Sequence, residues 1–457
     1  MKKRFLGWFV PFFVMAALVM AGCGEIGGGD DPAPGIVPTN NHTIIDPRAT
    51  SVRAMLDLQV DLGDLVNRPV ETWWYTRATA INDAGIVVGQ SNMGSIVKAA
   101  FAWDPANGSM EFVGIHSATG FIYSEAVGIN NNGLILANST TGVDWPDEQE
   151  KRAFLYDFVQ KDHQDLHVFR YRNAEGVLVD GGGDFSEAVA INNQNEIILT
   201  ADFPGGRSGF FWDGSTYDLD GVPIFSQLGR ILGQDSEAVA INNKRQAVVN
   251  SGSTAVFHDL NINAVESLNY LPGATETRAI AMNDSGHVVG VSGEQGFFWR
   301  GGAMYPMGHL GGGTSEPVAI NNNDLVAGNS TRSEGMTRAV LWWLGEDGRG
   351  RMRDLGTLGG ENSFVTGIND AGQVVGYSET GKLYTEGATT VREVRAFLWD
   401  NGVMYDLGVH DELYNYPFVK PFPFSEAVAI NNKGEIAGNS HAINNHYRGF
   451  YLKPVFP

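Results

Sequence analysis

Ala80-Ile81-Asn82-Asp83-Ala84-Gly85-Ile86-Val87-Val88-Gly89 places a tight polar turn between two apolar runs. Asn, Asp and Gly tolerate the backbone angles of a two-stranded turn, so the phrase reads as a β-hairpin. It recurs at Gly128-Ile129-Asn130-Asn131-Asn132-Gly133-Leu134-Ile135. Further copies are centred on Ile191-Asn192, Ile241-Asn242, Met282-Asn283, Ile320-Asn321, Ile368-Asn369 and Ile430-Asn431. The eight copies lie 38 to 62 residues apart, enough chain for four short strands each.

Each copy extends outward in the same order. Ser186-Glu187-Ala188-Val189-Ala190-Ile191 alternates as strand a, and Gln373-Val374-Val375-Gly376-Tyr377 follows the turn as strand b. An aromatic run supplies strand c, as in Ala396-Phe397-Leu398-Trp399-Asp400, Phe210-Phe211-Trp212 or Phe450-Tyr451-Leu452. Met404-Tyr405-Asp406-Leu407 and Met352-Arg353-Asp354-Leu355 are typical of strand d. Strands apolar on both faces need neighbours on both sides, which radial repetition provides while leaving only short edges. The last copy ends on strand c. A spare strand-like run, Met55–Leu62, precedes the first copy and supplies the missing strand. The expected fold is therefore all-β: a β-propeller of eight four-stranded blades over residues 53–457, closed by an N-terminal strand completing the last blade. One degenerate or missed copy would make it seven or nine.

Composition agrees. Of 457 residues, 58 are Gly, aromatics make up 11 % and charged residues only 18 %, a profile of short strands and tight turns. The net charge of −21 repels phosphate backbones and excludes nucleic acid as a partner.

Lys2-Lys3-Arg4 and the apolar stretch Phe5–Ala21 form a signal peptide over residues 1–22, too short and Pro-broken for a spanning helix. Met20-Ala21-Gly22-Cys23 resembles the lipobox of bacterial lipoproteins, with Met20 where leucine is usual. The resemblance implies acylation of Cys23, the sole cysteine, and anchoring to the membrane through acyl chains. Gly24 in place of Asp resembles outer-membrane sorting. Residues 23–52, rich in Gly, Pro, Asp and Asn, read as a flexible tether. The expected location is the bacterial cell envelope.

Asp354-Leu355-Gly356-Thr357-Leu358-Gly359-Gly360, Ile368–Gly376 and Arg395-Ala396-Phe397-Leu398-Trp399 resemble the bacterial extracellular repeats named for His-Ala-Phe. Arg395 and Arg152 stand where that family has the naming His, so no role of the His carries over. The resemblance implies export and repeat architecture and no defined activity.

With strand a innermost, the b–c and d–a connections share one face. The longest are Thr140–Arg152, Gly176–Phe185, Glu379–Arg395 and Val409–Phe424, and variable loops on a rigid scaffold are where binding concentrates. Four residues before the Ile of the phrase stand Glu125, Glu187, Glu237, Glu316 and Glu426, with Arg77, Arg278 and Phe364 in the other copies. This is a candidate charged collar for a cation or polar ligand; alternatively each Glu serves a neighbouring amide or Arg. Tyr414, Tyr416 and Phe418 form a candidate aromatic site for stacking on a sugar or gripping a peptide. The Asn after each Ile reads as a turn-former. His163 and His167 have a metal-ligand spacing only on a helix, and the region reads as a solvated loop. Hydrolase, metalloprotease and phosphate-loop motifs are absent, so no catalytic residue, metal or cofactor is assigned. The leading expectation is a non-enzymatic binding scaffold for a glycan or envelope protein. The alternatives are an exported glycosidase or lyase using collar carboxylates, and a purely structural envelope protein.

Overall fold

The computed structural model describes residues 59–63, 65, 75–93, 97–114, 123–140, 151–173, 176–229, 233–345, 350–386, 389–408, 424–441 and 447–454. The expected signal peptide and tether, with Cys23, and Tyr414, Tyr416 and Phe418 lie outside them.

The protein is an eight-bladed β-propeller. Each blade is an antiparallel meander whose first strand (a) faces the central axis. The inner strands are Thr76–Ile81, Tyr123–Ile129, Leu178–Ile191, Ser236–Ile241, Thr277–Met282, Gly311–Ile320, Ser363–Ile368 and Phe424–Ile430. The blade of Ser236–Ser267 shows the plain order, strands a to d pairing in sequence. The eighth blade takes its fourth strand from the N-terminal side: Gln59–Asp61 pairs antiparallel with Tyr447–Leu452, Gln59 opposite Leu452. Asp61-Leu62-Gly63 thereby occupies the place of Asp354-Leu355-Gly356 and Asp406-Leu407-Gly408 on other fourth strands. In all three the Asp side chain accepts the Gly amide, at 2.9, 2.9 and 2.7 Å. Arg448, buried on the last blade's strand c, reaches Asp61 at 2.7 Å and clamps the closing strand.

Packing follows the repeat. A large residue on strand c stands opposite an aliphatic one opening strand b, as in Trp103 with Val87, Trp212 with Ile197 and Trp399 with Val374. Such aromatic–aliphatic cross-strand pairs stabilise a sheet by a few tenths to about 1 kcal/mol each. The Trp side chains are buried. The glycine of strand b answers a close approach: a Cβ on Gly376 would meet the Phe364 carbonyl oxygen at 1.9 Å.

Polar side chains splice one blade to the next. On the closing interface Asn439 mimics a strand partner, its Oδ1 accepting the Ala78 amide at 2.8 Å and its Nδ2 donating to the Ala78 carbonyl at 3.2 Å. Asn138 with Ala188 and Asn250 with Ala279 repeat the device. The Ser opening strand a accepts an amide from the preceding blade's strand c, as Ser124 does from Ala100.

Two segments read as loops are strands. Leu178–Ile191 is one 14-residue strand whose outer half pairs with Phe169–Arg172. Val374–Glu386 and Thr389–Asp400 form a hairpin running well past the blade. Gly181-Gly182-Gly183 interrupts the alternation that would reveal the first, and a register shift between Glu379 and Leu383 hides the second. The expected His loop is also corrected. His163 lies on the fourth strand Asp162–Asp165 and contacts the Val113 carbonyl through Nε2 at 2.6 Å. His167 is buried with Nδ1 at 2.9 Å from Ser186 Oγ.

Candidate functional site

The inner strands frame a channel with two unlike ends. At one end the eight Asn of the repeat phrase close a ring. Asn82 Nδ2 donates to the Asn130 carbonyl (3.1 Å), and the chain of donation passes through Asn192, Asn242, Asn283, Asn321 and Asn369 to Asn431. Asn431 returns it to the Asn82 carbonyl at 2.9 Å. Each Asn Oδ1 also accepts amides of its own turn, Asn82 those of Ala84 and Ile86. These residues are therefore turn-formers and inter-blade locks at once.

The next residue of each phrase closes a second ring. Each Asn or Asp Oδ1 accepts the backbone amide of the corresponding residue one blade back, from Asp83 to Asn131 (2.9 Å) round to Asn432 and Asp83 (3.0 Å). Together with the Ile and Met above them, these residues line an open basin of about 360 Å³. Its inner Asn groups are spent on one another, so this end is built as a clasp.

The opposite end is the collar. Arg77, Glu125, Glu187, Glu237, Arg278, Glu316, Phe364 and Glu426 all fall at the corresponding position, four residues before the last residue of their inner strands. Ion pairs cross between blades: Arg77 to Glu125 (3.5 Å), Lys151 to Glu187 (2.5 Å) and Arg278 to Glu237 (3.0 Å). Glu426 is buried and accepts from Asn439 at 3.2 Å. Glu316 is exposed, and its carboxylate makes no hydrogen bond or ion pair among the described residues. Phe364 stacks on Tyr377, ring centroids 5.0 Å apart.

The collar is not uniform. Tyr75 precedes Arg77 by two residues and meets Tyr447 edge-on at 5.3 Å. Lys98 places its ammonium 3.7 Å from the centre of the Tyr75 ring, a cation–π contact. Burial raises the Glu125 carboxyl above the ordinary range, against the opposing pull of Arg77, Lys151 and Lys98. Burial does the same to Glu426, opposed by the Asn439 hydrogen bond and by Arg77. Burial lowers the Lys98 ammonium and Arg77 adds to it, against Glu125. Tyr75 and Tyr377 are pushed up, chiefly by burial.

Sequence reasoning picked out the collar carboxylates but missed Tyr75, Tyr447, Lys98 and Lys151. Their signal is positional. Tyr75 sits two residues before the collar position, while Lys98, Lys151 and Tyr447 begin strand c or immediately precede it, where it passes the next blade's strand a. The pairings Lys98 with Tyr123 and Tyr75 with Tyr447 mark that crossing. Among the described residues, no three His, Cys, Asp or Glu side chains converge as a metal site would require.

Residues 58–202 match the family described as "Protein of unknown function (DUF3466)". No curated protein matches the chain. Among solved structures the chain is similar to an acylaminoacyl peptidase of Pyrococcus horikoshii, at 13 % identity and a TM-score of 0.43, over 84 % of this chain and 58 % of that one. It is also similar to TolB from Acinetobacter baumannii, at 13 % identity and a TM-score of 0.31, over 58 % of this chain and 62 % of that one. An oligogalacturonate lyase in complex with manganese is similar at 10 % identity and a TM-score of 0.39, over 60 % of this chain and 78 % of that one. The chain thus spans 58 % of the length of the peptidase it resembles.

Proposed function

We propose that this chain is an exported, lipid-anchored propeller of the bacterial cell envelope that acts as a non-enzymatic binding scaffold. Its collar end holds a glycan or an envelope protein, Cys23 carries the acyl anchor, and the extracellular repeats supply the frame. What supports a scaffold over an acid–base enzyme is the use made of the collar carboxylates. Glu125, Glu187 and Glu237 are each engaged by a cation from a neighbouring blade, and Glu426 by Asn439. A glycosidase needs two carboxyls held about 5–9.5 Å apart across an open cleft, free to trade protons. Struts between blades serve position instead. The long hairpin ending in Glu386 and Thr389 rises from the same end as the collar and enlarges the face available to a partner.

The test has two arms. Metabolic labelling with a fatty-acid probe should mark the wild type and not Cys23→Ser, and the variant should leave the membrane fraction. The full chain in detergent is then offered to a glycan array and to envelope extracts, beside a variant with all five collar Glu changed to Gln. Binding that weakens in the variant without turnover of the ligand supports the scaffold. Hydrolysis or elimination of a bound glycan overturns it.

A further inference from the structure

The collar is polarised, and its two halves differ in chemistry. The residue two places before the collar position is aromatic in four consecutive blades: Phe424, Tyr75, Tyr123 and Phe185. In the other four it is Asp235, Glu276, Thr314 or Asn362. Three residues before the large strand c residues Phe101, Phe154 and Phe210 this half carries Lys98, Lys151 and Arg207, where the other half has Ser253, Glu294, Thr337 and Val394, with Arg338 and Arg395 one place later. Lys98 lies over Tyr75 at 3.7 Å and Arg207 over Phe185 at 3.8 Å, with Lys151 between them in blade order. On the other half Asp235, Glu237, Glu276, Glu294 and Glu316 are all exposed, with Arg278 the cation at the collar position.

We infer that the aromatic–cationic half of the collar, on the blades of Phe424, Tyr75, Tyr123 and Phe185, binds an acidic polysaccharide through the carboxylates of its uronic acid residues. This rests on the proposal that the collar face binds a glycan or an envelope protein. A uronic acid joins an apolar C–H face, which an aromatic ring can meet, to a carboxylate at its edge. On this arc the Lys98 ammonium, seated over the Tyr75 ring at 3.7 Å, supplies the cation for that carboxylate, and Tyr123, the strand partner of Lys98, the neighbouring ring. Lys98 is half-buried and makes no hydrogen bond or ion pair among the described residues, so its donors are available to an incoming oxygen. Such a charge-assisted contact is stronger than a neutral one. Arg77, Lys151 and Arg207 already hold Glu125, Glu187 and Asp202, so Lys98 is the first point of capture. The acidic half repels the same chain, and with a protein charge of −21 it confines a polyanion to the arc.

The experiment measures binding of the detergent-solubilised full chain to alginate, to carboxyl-reduced alginate and to poly-glutamate. The inference expects alginate to bind and the reduced polymer to bind at least about tenfold more weakly, the loss of one charged hydrogen bond. Lys98→Met should weaken alginate binding by a similar factor at unchanged melting temperature, and Lys98→Arg should restore most of it. Glu237→Gln with Glu316→Gln should tighten it. Equal binding of reduced and native alginate, weakened by Lys98→Met, leaves the glycan reading standing and overturns the acidic preference. Binding of poly-glutamate alone, or alginate binding indifferent to Lys98→Met, overturns the inference. Failure of every polymer while an envelope protein is retained overturns it too, and leaves the scaffold reading with a protein partner.

Discussion

Asn82→Asp replaces the donor amide group of a buried ring with an oxygen and, at pH 7, adds a negative charge there. Asn82 is only 4 % exposed. Its Oδ1 accepts from Ala84 and Ile86 at 3.0 Å each, and a carboxylate keeps both bonds. Its Nδ2 donates to the Asn130 carbonyl at 3.1 Å, and there a carboxylate oxygen would face a carbonyl oxygen. The Asn130 carbonyl keeps the Gly133 amide at 3.2 Å. The lost bond costs about 1 kcal/mol, and the new buried carboxylate, its pKa raised by burial, costs about 1–3 more, so the variant should be destabilised by about 2–4 kcal/mol at pH 7. Protonation restores a donor to the same place. The folded-state pKa of the new carboxyl is thus raised above its unfolded value, and the deficit should shrink as pH falls toward 4.5. Asn82→Ala loses all three bonds, and its deficit relative to wild type should not depend on pH. Urea unfolding of the three proteins at pH 7 and pH 4.5, each compared with wild type at the same pH, measures both effects. An Asp variant as stable as wild type at pH 7, or with the same pH dependence as the Ala variant, refutes the ring of donated hydrogen bonds as a source of stability.

Other consequences follow from single residues. His258 holds the strand c position that is Trp in five other blades, is buried opposite Ala247, and has its pKa lowered to about 4 by burial. Between about pH 6.5 and 4 the unfolded chain binds the extra proton, so stability falls as pH drops through that window, by up to about 3 kcal/mol. His258→Phe should flatten that part of a stability–pH curve. For Glu426 the sign reverses: a raised folded pKa means ionisation costs stability as pH rises, so Glu426→Gln should raise the melting temperature at pH 8 more than at pH 4. Asp61→Ala takes one carboxylate from the buried Arg448 and the acceptor from the Gly63 amide. It should destabilise by about 1–3 kcal/mol and release the closing strand first, seen as faster amide exchange at Gln59–Asp61 than elsewhere. Gly376→Ala should destabilise by more than 1 kcal/mol, because its Cβ meets the Phe364 carbonyl at 1.9 Å; unaltered melting would contradict the close packing of strands a and b.

The fold was legible because the repeat states it eight times and the missing strand announces itself. The Asp-Leu-Gly at 61–63 is the same phrase that ends other blades, displaced to the front of the chain. Roles that join blades were not legible. An Asn in a turn reads locally as a turn residue, while its second function depends on a carbonyl 38 to 62 residues further on. Likewise the collar Glu stood out by periodicity, but the Lys151 that pairs with Glu187 belongs to another blade and only the circular arrangement brings the two together. The glycine run at 181–183 and the irregular pairing after Glu379 concealed strands because both break the two-residue period on which such reading relies.

The collar as the binding face is tested most directly by comparing two variants of the full chain against one captured ligand. The first carries Arg77→Met with Lys98→Met at the collar. The second carries Asn131→Ser with Asn193→Ser on the rim of the opposite basin. Loss of binding in the first, with wild-type binding in the second, is the predicted result. Binding kept by the collar variant and lost by the basin variant would place the site at the other end of the channel and contradict the account.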